Sequence, residues 1–364
     1  MHVWLIWPTI FAALGCAYNA SPRGCSPANI EWRAPKTSTA LFANQRDDTI
    51  TYNLDGAVYD LRIGDGKIDR LALTPDGTTE LARWPNPGLE PDGVLYLLTQ
   101  GRAPSCCDSD VYLFDRSTGR SVPVTRTGRG KEGLKVSPDG KRAVYLQAGR
   151  RTDSIYIPLL SLKDWVDWRL HILDLSSWRE KVVPAVRSQN AFRVYWNTKG
   201  TELVAIGNFD GEEERIVRLS AETGDPVGTL PTEFPSISPP KSCQPWLSPG
   251  VFGLLPGDRL LLSAFCSSGG PGTRFADYVI VYDPRTRASL VTHRLEMGSL
   301  VGVPFVSEDG KRVYLFVESR SAPGSDLVSM QIWTLDLSHM DLHMVAAVGI
   351  LHYNRPSSAN TGPP

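Results

Sequence analysis

The chain has 364 residues, with 38 Lys+Arg against 39 Asp+Glu and a formal net charge of −1. So even a balance excludes the excess of basic residues from which nucleic-acid-binding proteins build their electrostatic footprint. The 32 glycines and 28 prolines are what many short strands and turns require, and the length suits either two or three domains or one large repeat domain.

In chain order, Val3–Leu14 comes first, an apolar run of signal-peptide length that is too short to span a bilayer and is followed by small residues. Residues 1–20 are therefore read as a signal peptide, with His2 the one candidate positive charge of its n-region. Ala13-Leu14-Gly15-Cys16 resembles a bacterial lipobox, which implies lipidation of Cys16; cleavage after Ala17 or Ala20 is the competing reading, and both stay open. Either way the expected location is outside the cytoplasm, as a periplasmic protein or an outer-membrane-associated lipoprotein. Residues 21–38, rich in Pro, Ser and Ala, read as a flexible tether.

The folded body is organised around Leu134–Gln147, LKVSPDGKRAVYLQ. Proline presets φ in Ser137-Pro138-Asp139-Gly140, aspartate bonds nearby backbone, and glycine accepts positive φ, so the tetrapeptide is a turn. Ala143, Tyr145 and Gln147 alternate with Val144 and Leu146, so the segment is a β-hairpin. Related turns recur at Glu90, Asn197, Leu255 and Ser307, with Gln45–Asp48 in the equivalent place of the first unit. Between them lie hydrophobic strands ending at Asp60, Asp115, Asp174, Ser220, Asp283 and Asp336, at intervals of 46 to 63 residues, longer than the roughly 40–45 of WD40 units. Each unit reads as strand, turn, strand, variable loop, strand, short turn, strand.

Four-stranded antiparallel units that cannot bury both faces alone pack radially, so the expected fold is all-β, a six-bladed β-propeller over residues 39–353. SPDGKR followed by an aromatic-rich strand and a D-x-x-T-G strand resembles the WD40-like repeat of the TolB-type propellers of the bacterial envelope. The resemblance covers about Thr39–Val348 and implies a fold, since one fold hosts many activities. The separate amino-terminal domain of TolB has no counterpart in Ser21–Thr39. Either Thr39–Asn44 or Gly349–Tyr353 is expected to complete the first blade, and residues 354–364 read as a disordered tail.

In an up-and-down blade the second-to-third-strand connections share a side, so Gly101–Asp110, Gly149–Trp168, Asn208–Glu214, Ser267–Asp277 and Ser319–Ser329 are expected to form a binding face. Arg102, Arg150, Arg151, Arg274 and Arg320 lie on them, and guanidinium forks suit carboxylate or phosphate. Within Ser154–Trp168, Leu159, Leu162, Trp165 and Trp168 fit one stripe of a short helix, either packed over its blade or offered to a partner. The acidic stretch Asn208–Glu214 departs from the twelve-residue calcium loop and reads as a charged hairpin tip. His339 and His343 would stand about 13 Å apart in an extended strand, so no metal is expected there.

Of the cysteines after Cys16, Cys243 and Cys266 are the preferred disulfide, with Cys106 or Cys107 paired to Cys25 as a further option. There is no G-x-S-x-G elbow, P-loop or dinucleotide fingerprint, and no cofactor is expected. Two functions are weighed: a non-catalytic envelope propeller binding a protein or an anionic ligand, and a carbohydrate-active enzyme resembling uronate lyases with its site at the channel mouth.

Overall fold

A computed structural model describes residues 40–41, 49–54, 57–73, 78–84, 95–101, 109–115, 118–151, 155–157, 160–162, 165–197, 199–211, 213–234, 237, 250–267, 275–296, 298–307, 309–320 and 327–352. The segments read as signal peptide, tether and tail lie outside these residues, as do the turns expected at Gln45–Asp48 and Glu90.

The described chain is all-β and built from the four-stranded blades of a β-propeller. Six four-stranded sheets follow one another, each antiparallel with its strands in sequence order apart from one inserted hairpin. The first pairs Ala40–Leu41, Thr49–Leu54, Ala57–Arg62 and Ile68–Leu73; the second pairs Thr78–Trp84, Leu95–Gly101, Ser109–Asp115 and Arg120–Pro123. The third uses Lys131–Val136, Arg142–Arg151, Trp165–Asp174 and Glu180–Ser188; the fourth uses Arg193–Trp196, Glu202–Asn208, Glu214–Ser220 and Pro226–Leu230. Gly250–Leu255, Arg259–Ser267, Phe275–Asp283 and Ala288–Glu296 form the fifth, and Gly298–Val306, Arg312–Arg320, Leu327–Asp336 and Asp341–His352 the sixth. The described residues fall into two compact units, one running to Leu61 and resuming over Asp69–Thr232, the other comprising Arg62–Ile68 and the chain from Glu233.

Of the two segments that could complete the first blade, the amino-terminal one does so. Ala40 and Leu41 pair with Asn53 and Tyr52. Gly349 instead belongs to the last strand of the sixth sheet, where it pairs with Met330.

The central strands explain why the units must stack. Ala143 to Ala148 are all buried along the second strand of the third sheet, so both faces of that sheet are covered. Val144, Leu146, Trp168 and Leu170 join Phe192, Leu203, Phe209 and Leu219 in a core between the third and fourth sheets. Ala143, Tyr145 and Leu173 join Ala82 and Val111 between the second and third. In the other unit, Leu261, Val279 and Val281 pack on Val313, Leu315 and Leu335. The fourth strands are edges that alternate exposed residues with buried ones such as Val183, Val186 and Leu295, and Pro123, Pro184 and Pro226 lie in them. A proline there removes a donor that a foreign strand would otherwise find.

Two turns repeat at one end of the sheets. At Ser137 the Gly140 N–H donates to the Ser137 carbonyl (2.9 Å), the Lys141 N–H to Asp139 Oδ1 (3.1 Å) and the Arg142 N–H to Ser137 Oγ (3.0 Å). Ser307, Asp309, Gly310 and Arg312 repeat that pattern. Asn197 replaces serine and aspartate together, its Oδ1 accepting from the N–H groups of Thr201 and Glu202. The Ser307 hydroxyl and the Lys311 N–H hold the Asp309 carboxyl below its ordinary range.

The second turn follows each third strand, and its fifth residue always has positive φ: Gly66, Gly119, Trp178, Gly224, Arg287 and Met340. Three of these lack glycine and hold a conformation that costs an ordinary residue about 1 kcal/mol. The Asp174 carboxyl caps one such turn, and the bonds from Ser176 and Ser177 lower it to about 2. In the first sheet this geometry corrects the sequence alignment. The Gly66 N–H donates to the Arg62 carbonyl, so Arg62, not Asp60, matches Asp115. Both Gly64 and Gly66 could have supplied the positive φ, and Gly66 does; a two-residue offset preserves which face each side chain takes.

The expected helix within Ser154–Trp168 is instead β-structure. Ile155–Ile157 pairs with Leu160–Leu162 in a hairpin inserted between the second and third strands of the third sheet. Trp165 opens the third strand opposite Arg151. Ile155, Tyr156 and Ile157 are β-branched or aromatic, and Pro158 removes a helical donor, so the local preference is extended.

Candidate ligand-binding face

Connections between second and third strands all leave the end of the sheets opposite the two repeated turns. Their ladders run further than the sequence suggested, closing at Gly101 with Ser109, Arg151 with Trp165, Asn208 with Glu214, Ser267 with Phe275, and Arg320 with Val328. Asn208–Glu214 is a hairpin tip as expected, with Asp210 and Gly211 in the left-handed region.

Among the sequence-chosen residues, Arg150 is exposed near the end of its strand. Arg151, Trp165 and Arg320 occupy strand positions at the same ends of their sheets. Trp168 is 6% exposed and packs in the core shared by the third and fourth sheets, so it is not available to a partner. The alternation of the third strand turns it inward with Leu170 and Ile172, which helical spacing did not anticipate. Arg102, Arg274, Cys16, Cys25, Cys106, Cys107 and Cys243 lie outside the described residues, and Cys266 is placed only as part of its strand. The Cys243–Cys266 pairing therefore also lies outside them.

Three carboxylates lie towards the connection-bearing ends of their own sheets. Asp110, in the third strand of the second sheet, is fully buried with Lys131 at 3.1 Å. Its Oδ1 also accepts from Thr125 Oγ1 (3.0 Å) and the Thr127 N–H (2.8 Å), while Lys131 donates to the Ser109 carbonyl (3.0 Å) and Thr127 Oγ1 (2.5 Å). Burial alone would raise the Asp110 carboxyl, but the Lys131 ammonium, Thr125 and the Gly128 N–H outweigh it and hold the group low. This pair ties the second sheet to the first strand of the third.

Asp277 has a comparable position in the fifth sheet, where its Oδ2 accepts from the Leu300 N–H (2.7 Å) of the sixth. Burial pushes it up to about 6, against the opposing pull of that N–H. Asp277 shares a strand face with the core residues Val279 and Val281, a charged residue in an apolar period that the sequence did display.

Asp167 is the third. It has φ 63 and lies across the ladder from Gly149, where an added Cβ would come 2.6 Å from Asp167 Oδ2. Arg187 Nε donates to Asp167 Oδ1, and an Arg169 terminal nitrogen stands 3.6 Å from Oδ2. The bond from Arg187 and the fields of Arg169, Arg187 and Arg150 keep the Asp167 carboxyl below its usual range against some burial. Sequence spacing could not find this group, because a bulge sets the register: Arg169 pairs with Arg187 while Leu170 pairs with Val183.

The histidines do not converge among the described residues. His171 Nδ1 bonds Glu180, His293 Nε2 meets the Met340 carbonyl at 2.8 Å, and His339 and His343 sit beside Asp336 and Asp341. A turn does separate His339 from His343, yet no group of three or more His, Cys, Asp or Glu side chains able to hold a metal occurs among the described residues.

No protein-family description matches the chain, and no curated protein matches it. Solved structures similar to it include a gluconolactonase from Xanthomonas campestris, at 15% identity and TM-score 0.47, covering 85% of each chain. TolB from Acinetobacter baumannii is similar at 15% identity and TM-score 0.45, covering 84% of this chain and 62% of TolB. An oligogalacturonate lyase in complex with manganese shows 14% identity and TM-score 0.43, over 82% of this chain and 73% of the lyase. These neighbours differ in activity from one another, and none of their activities passes to this chain.

Proposed function

We propose that the protein is an exported, non-catalytic six-bladed β-propeller that captures an envelope protein or an anionic ligand through the face carrying its second-to-third-strand connections. The observation behind this reading is the asymmetry between the two ends of the individual sheets. At one end of a sheet lie short turns whose backbone groups bond to each other and to capping side chains such as Ser137, Asn197, Ser307 and Asp174. The other carries connections of unequal length, including the hairpin Ile155–Ile157 with Leu160–Leu162. Unequal connections on a repetitive scaffold are where recognition is usually placed. Export is supported by the apolar run Val3–Leu14, and an anchor at Cys16 would hold the protein at a membrane surface.

Arg102, Arg150, Arg151, Arg274 and Arg320 are the proposed partner contacts. Replacing all five with alanine in the full chain should abolish recovery of crosslinked partners from envelope extracts. Undiminished recovery would overturn the role of these arginines.

A further inference from the structure

Among the described residues at its connection-bearing end, the third sheet gathers more positive charge than its own carboxylate neutralises. Arg150, Arg169 and Arg187 come from its second, third and fourth strands. Arg169 and Arg187 are directly opposed across the ladder, an arrangement that is repulsive when left to itself. Asp167 is their common counter-ion, and Asp210 of the neighbouring hairpin tip adds a weaker field at Arg187. Among the described residues, the guanidinium groups of Arg169 and Arg187 beside one carboxylate, with the weaker field of Arg150 from the next strand, leave a surplus.

The geometry fixes the carboxylate and leaves the cations accessible. Asp167 is 13% exposed at its side chain, whereas Arg169 and Arg187 are 45% and 51% exposed. Gly149 admits Asp167 at a distance no side chain would allow, so the counter-ion cannot slide along the ladder. Arg187 engages it through Nε, which leaves its terminal nitrogens unspent by that bond. Arg169, at 3.6 Å, makes an ion pair without a hydrogen bond.

We propose that Arg169 and Arg187 form an oxyanion site for the carboxylate or phosphate group of a small ligand, with Arg150 adding charge and Asp167 acting as a positioning residue. Planar guanidinium forks bind such groups through paired hydrogen bonds. The inference deepens the proposed binding role by naming the chemistry of the ligand, and it rests on that reading for biological relevance alone.

The test is thermal unfolding of the full chain in inorganic phosphate and, separately, in citrate, against chloride at matched ionic strength. A saturable rise in melting temperature is expected with either anion, and the pair of titrations shows which class of oxyanion is preferred. The rise should vanish in Arg187→Gln and Arg169→Gln and need several-fold more anion in Arg150→Gln. It should persist in Arg287→Gln, which alters an exposed arginine of the fifth sheet. Should Arg187→Gln fail to fold, Arg150→Gln decides the matter, because that side chain caps no turn and fills no core. No rise above chloride, or an equal rise in every variant, overturns the site. Arg169 and Arg187 are not among the five arginines of the capture experiment. A phosphate response with undiminished capture therefore removes only the partner contacts, and lost capture without a phosphate response removes only this site.

Discussion

Asp277 shows how one buried carboxylate can make stability depend on pH against the usual trend. Burial pushes its carboxyl up to about 6 from an ordinary value of 3.8, so between those values the folded chain keeps a proton that the unfolded chain has released. Stability from this group therefore falls as pH rises through about 4 to 6, by on the order of 2–3 kcal/mol in all. Asp110 and Glu180 act with the opposite sign, since their lowered values contribute stability that is lost as pH falls. Asp277→Asn keeps an acceptor for the Leu300 N–H, and should raise the denaturant midpoint at pH 7 while leaving it almost unchanged near pH 4. An unaltered pH profile would show that Asp277 is not the source. Asp277 was legible as a charge on an apolar strand face, whereas Asp110 was not. What makes Asp110 tolerable is Lys131, 21 residues away and across a sheet boundary, a distance that no local pattern reports.

At the scale of the element, strands and turns followed from local chemistry, but registers did not. Ser137-Pro138-Asp139-Gly140 forms a turn because each residue satisfies a specific backbone requirement, and that requirement is written in four consecutive letters. The bulge between Arg169 and Leu170 is taken up in the partner strand, where Pro184 lies in the stretch skipped between Val183 and Arg187, so nothing near Arg169 announces it. The stretch after Arg151 was misread for a related reason, because apolar residues at helical spacing also fit a hairpin once Pro158 interrupts them. Gly149 is a position in this sheet where an added Cβ meets a neighbour too closely. Gly149→Ala places a methyl group against Asp167 Oδ2 and the Asp167 carbonyl oxygen, both within about 3 Å. Displacing Asp167 would release Arg187 and cost about 1–3 kcal/mol, as overpacking typically does. Chemical denaturation of Gly149→Ala measures this, and its anion response should weaken in parallel.

For the whole molecule, the repeat was legible because related turn sequences recur along it, and intervals of 46 to 63 residues absorb their variation in the connections. The sequence could not show which faces meet, since stacking buries both sides of each central strand and erases the polar alternation that would mark an outside. Cores formed between successive sheets make damage local. Phe209→Ala, in the core of the third and fourth sheets, and Leu315→Ala, in that of the fifth and sixth, should each cost about 2–5 kcal/mol. The double variant should lose their sum within about 0.5 kcal/mol, because the two clusters share no residue. A clear excess or deficit in calorimetry would mean that the two units communicate. The inserted hairpin has a different consequence. The third sheet finishes its own pairing at Arg151 and Trp165, and the hairpin begins its pairing afresh at Ile155 and Leu162. It is joined to the sheet as a cartridge is to a socket, so its residues can be exchanged without rewriting a single rung below it.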